Sequence, residues 1–268
     1  PVITEFMADN NNTLSGAGGS TPDWIEIYNP ESTEIDLAGW HLTDNDQDPD
    51  QWTFPEGATI TSGGYLLVYA SGEGANGPEG EYHTNFKLLD QGEYLALVQP
   101  DGTVQQEFAP VYPRQYSDVS YGLPPGQETY GYFTTPTPGA PNNSSLQGFV
   151  KDTTFSHKRG FYDDAFQLEV TTATPGASIY YTTNGVTPGP ASPRVVAPDP
   201  ESPPVLSLTI SATTIVRAFA EKPGYQNTNT DTQTYIFIAQ ASRQRMSRSI
   251  TRDPVWGPQM RDALLEIP

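Results

Sequence analysis

Cysteine is missing from all 268 residues, which removes disulfides, thiolate metal sites and cysteine nucleophiles together. No apolar run approaches the roughly 18 residues of a membrane-spanning helix, so no helical membrane insertion is expected. Basic residues are scarce: 13 Lys and Arg stand against 32 Asp and Glu, a formal charge of −19. The deficit is local. Residues 1–143 hold 21 acids against only Lys87 and Arg114, residues 144–238 hold 8 acids and 6 bases, and residues 239–268 hold 3 acids and 5 arginines. Such a field repels nucleic acid and anionic membranes, excludes nucleic-acid binding, and attracts cations or basic partners. The three histidines, His41, His83 and His157, fall in three different segments. His41 and His83 would need an acidic third ligand to make a zinc site. No nucleophile elbow, HExxH or P-loop occurs. Gly72 to Gly77 fits GxGxxG, but no helix signal follows it and the nearby acids would repel a pyrophosphate, so it is expected to be a hairpin loop.

What is abundant is punctuation. The 24 Gly and 26 Pro residues separate short runs rich in Val, Ile, Tyr and Thr, the composition of an all-β chain with many turns. The length suits two domains. In the first segment, Ile3–Ala8 reads as an opening strand, and Asp9–Thr21 as a loop too polar to pack. Asp23–Pro30 alternates Ile25 and Ile27 against Trp24, Glu26 and Tyr28, as a half-buried strand does. Tyr65–Ala70 suits a central strand. Gln99-Pro100-Asp101-Gly102 has the turn chemistry of a tight hairpin between Glu93–Val98 and Thr103–Phe108. Roughly eight such strands make a β-sandwich.

The stretch Ile35–Pro55, IDLAGWHLTDNDQDPDQWTFP, organises the candidates for chemistry. Ile35 and Leu37 fall on one face and Trp40 and Leu42 on the other, which predicts a bend at Ala38-Gly39 between two layers. Asp44, Asp46, Asp48 and Asp50 follow at every second position and must be solvated or neutralised by a cation. A solvated loop is the simpler reading. Their oxygen-rich spacing also suits calcium, although Pro49 and Pro55 stand where an EF-hand needs Gly and Glu. The carboxylates of this acidic domain could instead serve a glycosidase, as a raised-pKa acid with an ionised partner. Trp40, Trp52, Tyr82, Tyr130 and Tyr132 are candidates for an aromatic sugar-binding platform, unless core and corner positions absorb them.

EFMADN, DWIEIYNP, IDLAGWHLTD, WTFP through YLLVYASG, HTNFKL, GEYLALVQPDG and SYGLP occur in that order. Together they resemble the lamin-tail domain of the bacterial, extracellular kind over residues 1–143. The resemblance implies an immunoglobulin-like sandwich and a non-catalytic module of large secreted proteins, with no motif of functional residues to carry across.

Thr135–Ser145, TPTPGAPNNSS, reads as a linker and the clearest boundary, with residues 144–152 bridging to a second domain at 153–238. There FSHKRGFYDDAFQLEVTT, SIYYTTNGVTP, TIVRAFAEKPGYQNTN and TQTYIF are similar to the C-terminal domain of chitobiase and β-hexosaminidase enzymes. That resemblance implies a fibronectin-like sandwich of roughly seven strands, not the catalytic part, in a setting of polysaccharide or cell-envelope chemistry. Asn184-Gly185 predicts a turn, and Pro-rich Gly189–Pro204 an exposed excursion. In the tail, 239–268, Met260, Ala263, Leu264 and Ile267 share one side of an expected short helix. TRDPVWGPQMRDALLEIP resembles the leader of a spore-coat-protein-H-like domain, which implies further domains of the same polypeptide as partners. The chain opens on strand-like PVITEF without initiator Met or charged leader, as a processed secreted protein would and as a trimmed chain would too. The expectation is a secreted or cell-surface bacterial binding, adhesion or spacer module made of two tandem β-sandwiches. Its partner would be a polysaccharide or another cell-envelope component, and a glycosidase is the alternative.

Overall fold

The computed structural model describes residues 1–74 and 80–238. The expected tail helix lies outside the described residues, as do residues 75–79 of the expected hairpin loop. Two compact units divide the chain, Pro1–Gln147 and Gly148–Pro268.

The first unit contains β1 (Val2–Met7), β2 (Asp23–Tyr28), β3 (Ile35–Asp36), β4 (His41–Thr43), β5 (Trp52–Thr53) and β6 (Thr59–Ile60). It continues with β7 (Tyr65–Ala70), β8 (Tyr82–His83), β9 (Leu95–Val98), β10 (Val104–Phe108), β11 (Ser120–Gly122) and β12 (Gly131–Phe133). A six-stranded sheet, β12-β11-β1-β2-β7-β8, faces a four-stranded one, β10-β9-β4-β5, with β3-β6 as a separate ribbon. Ile3, Phe6, Ile25, Ile27, Leu42, Phe54, Val68, Leu95 and Leu97 fill the space between the sheets, each 2 % exposed or less. The bend expected at Ala38-Gly39 is present: Gly39 has φ of 77° and separates β3 of the ribbon from β4 of the smaller sheet. The β9–β10 hairpin also forms as expected, closed by the N–H of Gly102 on the carbonyl of Gln99 at 2.9 Å.

Ile3 and Phe6 both face the core although they stand three residues apart, which a regular strand forbids. The register shift between Ile3 and Glu5 resolves the conflict, pairing Ile3 with Ile27 and Glu5 with Glu26. The bulge pushes the carbonyl of Thr4 against Gly122, where a Cβ would lie 2.0 Å from that oxygen. Only glycine fits there.

β2 departs from its half-buried expectation. Trp24 and Glu26 on its outer face are as inaccessible as Ile25 and Ile27 on its inner face, all at 0 %. Two polar segments supply the cover. Asn10 organises the loop after β1: its amide donates to the carbonyls of Leu14 (2.6 Å) and Pro22 (2.8 Å), and its oxygen accepts from Thr13 and Leu14. Leu14 then seals a small outer cluster of Met7, Trp24 and Tyr69. The second cover is the run after β12, expected to be a free linker. It folds back onto Glu5 and Glu26 instead, because its backbone and hydroxyl donors satisfy buried carboxylates.

The second unit holds β13 (Gly148–Phe149), β14 (Thr153–Phe155), β15 (Gly160–Tyr162), β16 (Phe166–Thr172) and β17 (Ser178–Thr182). β18 (Arg194–Val196), β19 (Val205–Ile210), β20 (Thr214–Glu221), β21 (Tyr225–Gln226) and β22 (Asp231–Phe237) complete it. A five-stranded sheet, β15-β22-β20-β17-β18, faces the three-stranded β14-β16-β19, and β13 pairs with β21. Leu168, Val170, Ile179, Leu206, Val216, Ala218, Ala220 and Tyr235 form the core. The Asn184-Gly185 turn is present, with Gly185 at φ 79° and its carbonyl held by Arg217 at 3.3 Å. The Pro-rich excursion contributes more than expected. Its central residues form β18 on the edge of the larger sheet, where Arg194 donates to the Tyr180 hydroxyl at 2.7 Å and Tyr180 stacks on Phe219. The predicted 144–152 linker is likewise ordered at both ends, Leu146 bridging to Tyr132 and Gly148–Phe149 pairing with β21.

Candidate functional site

The four aspartates lie in the loop joining β4 and β5. Asp46, Asp48 and Asp50 are exposed and Asp44 is half-buried. Buried Thr43 shapes the loop: its Oγ1 lies 2.8 to 2.9 Å from the Asn45 and Asp48 carbonyls and the Gln51 side-chain oxygen, and accepts the Asn45 N–H at 3.0 Å. The carbonyls that would complete a calcium shell thus face a hydroxyl. Among the described residues, no three His, Asp or Glu side chains are grouped to hold a metal ion. His41 is bonded to Thr53 at 2.9 Å, and His83 lies on the other sheet.

The five aromatic candidates turn inward. Trp52 and Tyr132 are 7 % exposed, and Trp40, Tyr82 and Tyr130 pack half-buried against the core. Trp52 meets Phe54 edge-on at 4.6 Å, Tyr130 stacks on Tyr121, and the Tyr132 hydroxyl donates to the Arg114 carbonyl. No flat exposed platform results from this group, because each ring packs against side chains of the first unit itself.

The structure draws attention elsewhere. A hollow of about 360 Å³ lies in the first unit between Ser20–Asp23, Ala70, Ser71, Glu73 and Lys87. Gly72 shapes one wall. Its φ of +79° turns the chain out of β7, and its missing Cβ lets the Lys87 stem pass, with atoms 3.3 Å from where that carbon would be. Burial pushes the Asp23 carboxyl up to about 6, against the opposing pull of backbone N–H bonds from Asn10 and Leu88. Ser71 Oγ sits 3.0 Å from His83 Nδ1, and His83 Nε2 sits 3.4 Å from Glu81. Glu81 also accepts the Ala17 N–H at 2.8 Å, so this chain of bonds ties the hollow's wall to the loop after β1. Donors and acceptors therefore face one another across a polar hollow.

A second group lies beneath the run after β12. Glu5 and Glu26 are directly opposed in the β1–β2 register and are both at 0 % exposure. Burial raises both carboxyls, and the neighbouring Glu5 charge helps bring Glu26 to about 7. Sequence reasoning missed both groups. The legible signal was the place of Glu26 between Trp24 and Tyr28 on one strand face. What covers that face depends on residues more than 110 positions away in sequence.

Two family matches agree with this architecture. Residues 1–111 match the lamin tail domain, and residues 157–234 match the chitobiase/β-hexosaminidase C-terminal domain. The chain thus carries the first type of domain followed by the second, as both resemblances imply, in two β-sandwich units. The first match ends before β11, β12 and the covering run, which nevertheless complete the six-stranded sheet and its outer face. No curated protein matches the chain.

Proposed function

We propose that this chain is a non-catalytic, extracellular binding and spacer module of a larger bacterial surface or secreted protein. Its first unit takes a polysaccharide or other cell-envelope glycan at the hollow between Asp23 and Lys87. The observation that carries the reading is the mixture of groups in that hollow. Each sugar hydroxyl both donates and accepts, so vicinal hydroxyls suit a site with a carboxylate, an ammonium and serine hydroxyls side by side. The Asp23 carboxyl is engaged by two backbone N–H groups, which favours a positioning role over proton transfer to substrate.

A glycosidase is the second reading, favoured by the raised pKa of Asp23 in a hollow that also contains Glu73. One experiment separates the two. The full chain is mixed with insoluble peptidoglycan, chitin and cellulose, and both retention and released reducing ends are measured, with Lys87→Met and Ser71→Ala variants alongside. Retention on one polymer, weakened at least tenfold by Lys87→Met and without sugar release, is the expected result. Release of reducing ends would favour the glycosidase. Equal retention of wild type and variants, or none, overturns binding at this hollow.

A further inference from the structure

Glu5 on β1 and Glu26 on β2 face each other on the outer side of the six-stranded sheet, with no water-accessible surface. Five donors surround them. Glu5 accepts from the Ser120 hydroxyl, the Thr137 N–H (3.1 Å) and the Thr137 hydroxyl (2.9 Å). Glu26 accepts from the Thr4 hydroxyl (2.7 Å) and the Gly139 N–H (2.6 Å). Three of these five donors belong to one irregular run, Thr135–Asn143. Asn142 fastens the same run to the carbonyls of Thr4 (2.9 Å) and Leu123 (3.0 Å).

The surrounding charges are one-sided. From β2 and β7 the titratable neighbours are Tyr28 and Tyr65, whose rings lie 4.8 Å apart; burial, and after it the Glu26 charge, raises the Tyr65 hydroxyl. β1 and β11 contribute the hydroxyls of Thr4 and Ser120, and the run itself contributes Thr137 and Asn142. Among the described residues, no Lys, Arg or His forms an ion pair with either glutamate; the ion pair found there joins His83 and Glu81.

We propose that Thr135–Asn143 is a proton-gated cover: it stays closed while the Glu5–Glu26 pair keeps one proton and lifts when both side chains are ionised. Two adjacent anions in a dry site repel strongly, and the relief available is hydration. β1, β2, β7 and β11 are locked to one another by ladder hydrogen bonds, whereas the cover is an irregular run held by a few bonds. Lifting the cover is therefore the least costly way to admit water. The raised pKa of both carboxyls, with Glu26 at about 7, places the change near neutral pH. A lifted cover exposes the outer face of β1 and β2.

Hydrogen exchange of the full chain, read by mass spectrometry from pH 5.5 to 8.5 and corrected for intrinsic exchange rates, tests this. Peptides spanning 135–143 should lose protection about tenfold per pH unit above 7, while β9 in the same sample keeps its protection. Glu26→Gln should hold the cover closed across the range. Cover protection that does not change with pH in the wild type overturns the proposal. So does a loss that β9 shares equally, or one that Glu26→Gln leaves intact. Should Glu26→Gln fail to fold, the wild-type comparison of the cover with β9 decides alone.

Discussion

Replacing Glu26 by Gln should stabilise the first unit at pH 8 and leave it nearly unchanged at pH 4.5. The folded-state pKa of Glu26 is raised from 4.5 to about 7, chiefly by burial. A group whose pKa rises on folding binds its proton more tightly in the native state. Its charge therefore costs nothing below about pH 4.5, costs progressively more between 4.5 and 7, and costs its full amount above 7. At about 1.4 kcal/mol per pK unit, the full amount is about 3 kcal/mol. Gln keeps the acceptor for Gly139 and carries no charge; its new N–H groups can turn to Thr4 or to Glu5. Some of the gain is offset where the lost charge weakens the Thr4 and Gly139 bonds, each by up to ~1 kcal/mol. A net gain of about 1–3 kcal/mol at pH 8 remains.

Urea unfolding followed by tryptophan fluorescence is the assay, because Trp24, Trp40 and Trp52 all lie in the first unit. A Trp256→Phe background removes the fourth tryptophan. With a slope of roughly 2 kcal/mol per molar urea, the midpoint should move upward by about 0.5–1.5 M at pH 8. Self-repulsion of the −19 charge differs by a single charge between the two proteins and nearly cancels in the comparison. The reasoning fails if Glu26→Gln is less stable than wild type at pH 8, or if the difference between them is the same at pH 4.5.

Other outcomes follow from the same geometry. Thr43→Val removes the hydroxyl around which the aspartate loop folds and should destabilise the first unit by about 2 kcal/mol, read from the same urea midpoint. Calcium and magnesium should raise the melting temperature weakly and equally, because three of the four loop carboxylates are exposed and no three are grouped. A calcium-selective rise that Asp46→Asn with Asp48→Asn abolishes would establish a metal site there. Asn29→Ala should cost about 2–3 kcal/mol, since its buried amide holds the carbonyls of Thr33 (2.8 Å) and Ile60 (2.9 Å) and its oxygen accepts the Glu31 N–H (2.8 Å). A loss under about 0.5 kcal/mol in thermal unfolding would show that water replaces those bonds freely.

Strands and turns were legible because they depend on local chemistry. Ile25 and Ile27 alternate, Asp101-Gly102 closes a hairpin, Asn184-Gly185 turns, and each form is fixed within a few residues. Several very short strands, such as β6 and β8 at two residues each, were not, because two residues carry no periodicity. The candidate sites fared differently. Trp40, Trp52 and Tyr132 are residue types that serve a sugar or a core equally well, and only packing distinguishes the two uses.

The sequence by itself determined the all-β class, the two tandem sandwiches, the concentration of negative charge in the first and the absence of cysteine chemistry. Each follows from composition, or from patterns that repeat within a strand. Only the tertiary structure decided that Asp9–Thr21 and Thr135–Ser145, polar enough to read as free loop and linker, cover the outer face of β2. It also decided that Glu5 and Glu26 meet in the dark beneath the second of them. Burial of a carboxylate is a property of what lies above it, and here the cover comes from more than 110 residues along the chain. No local pattern encodes that distance.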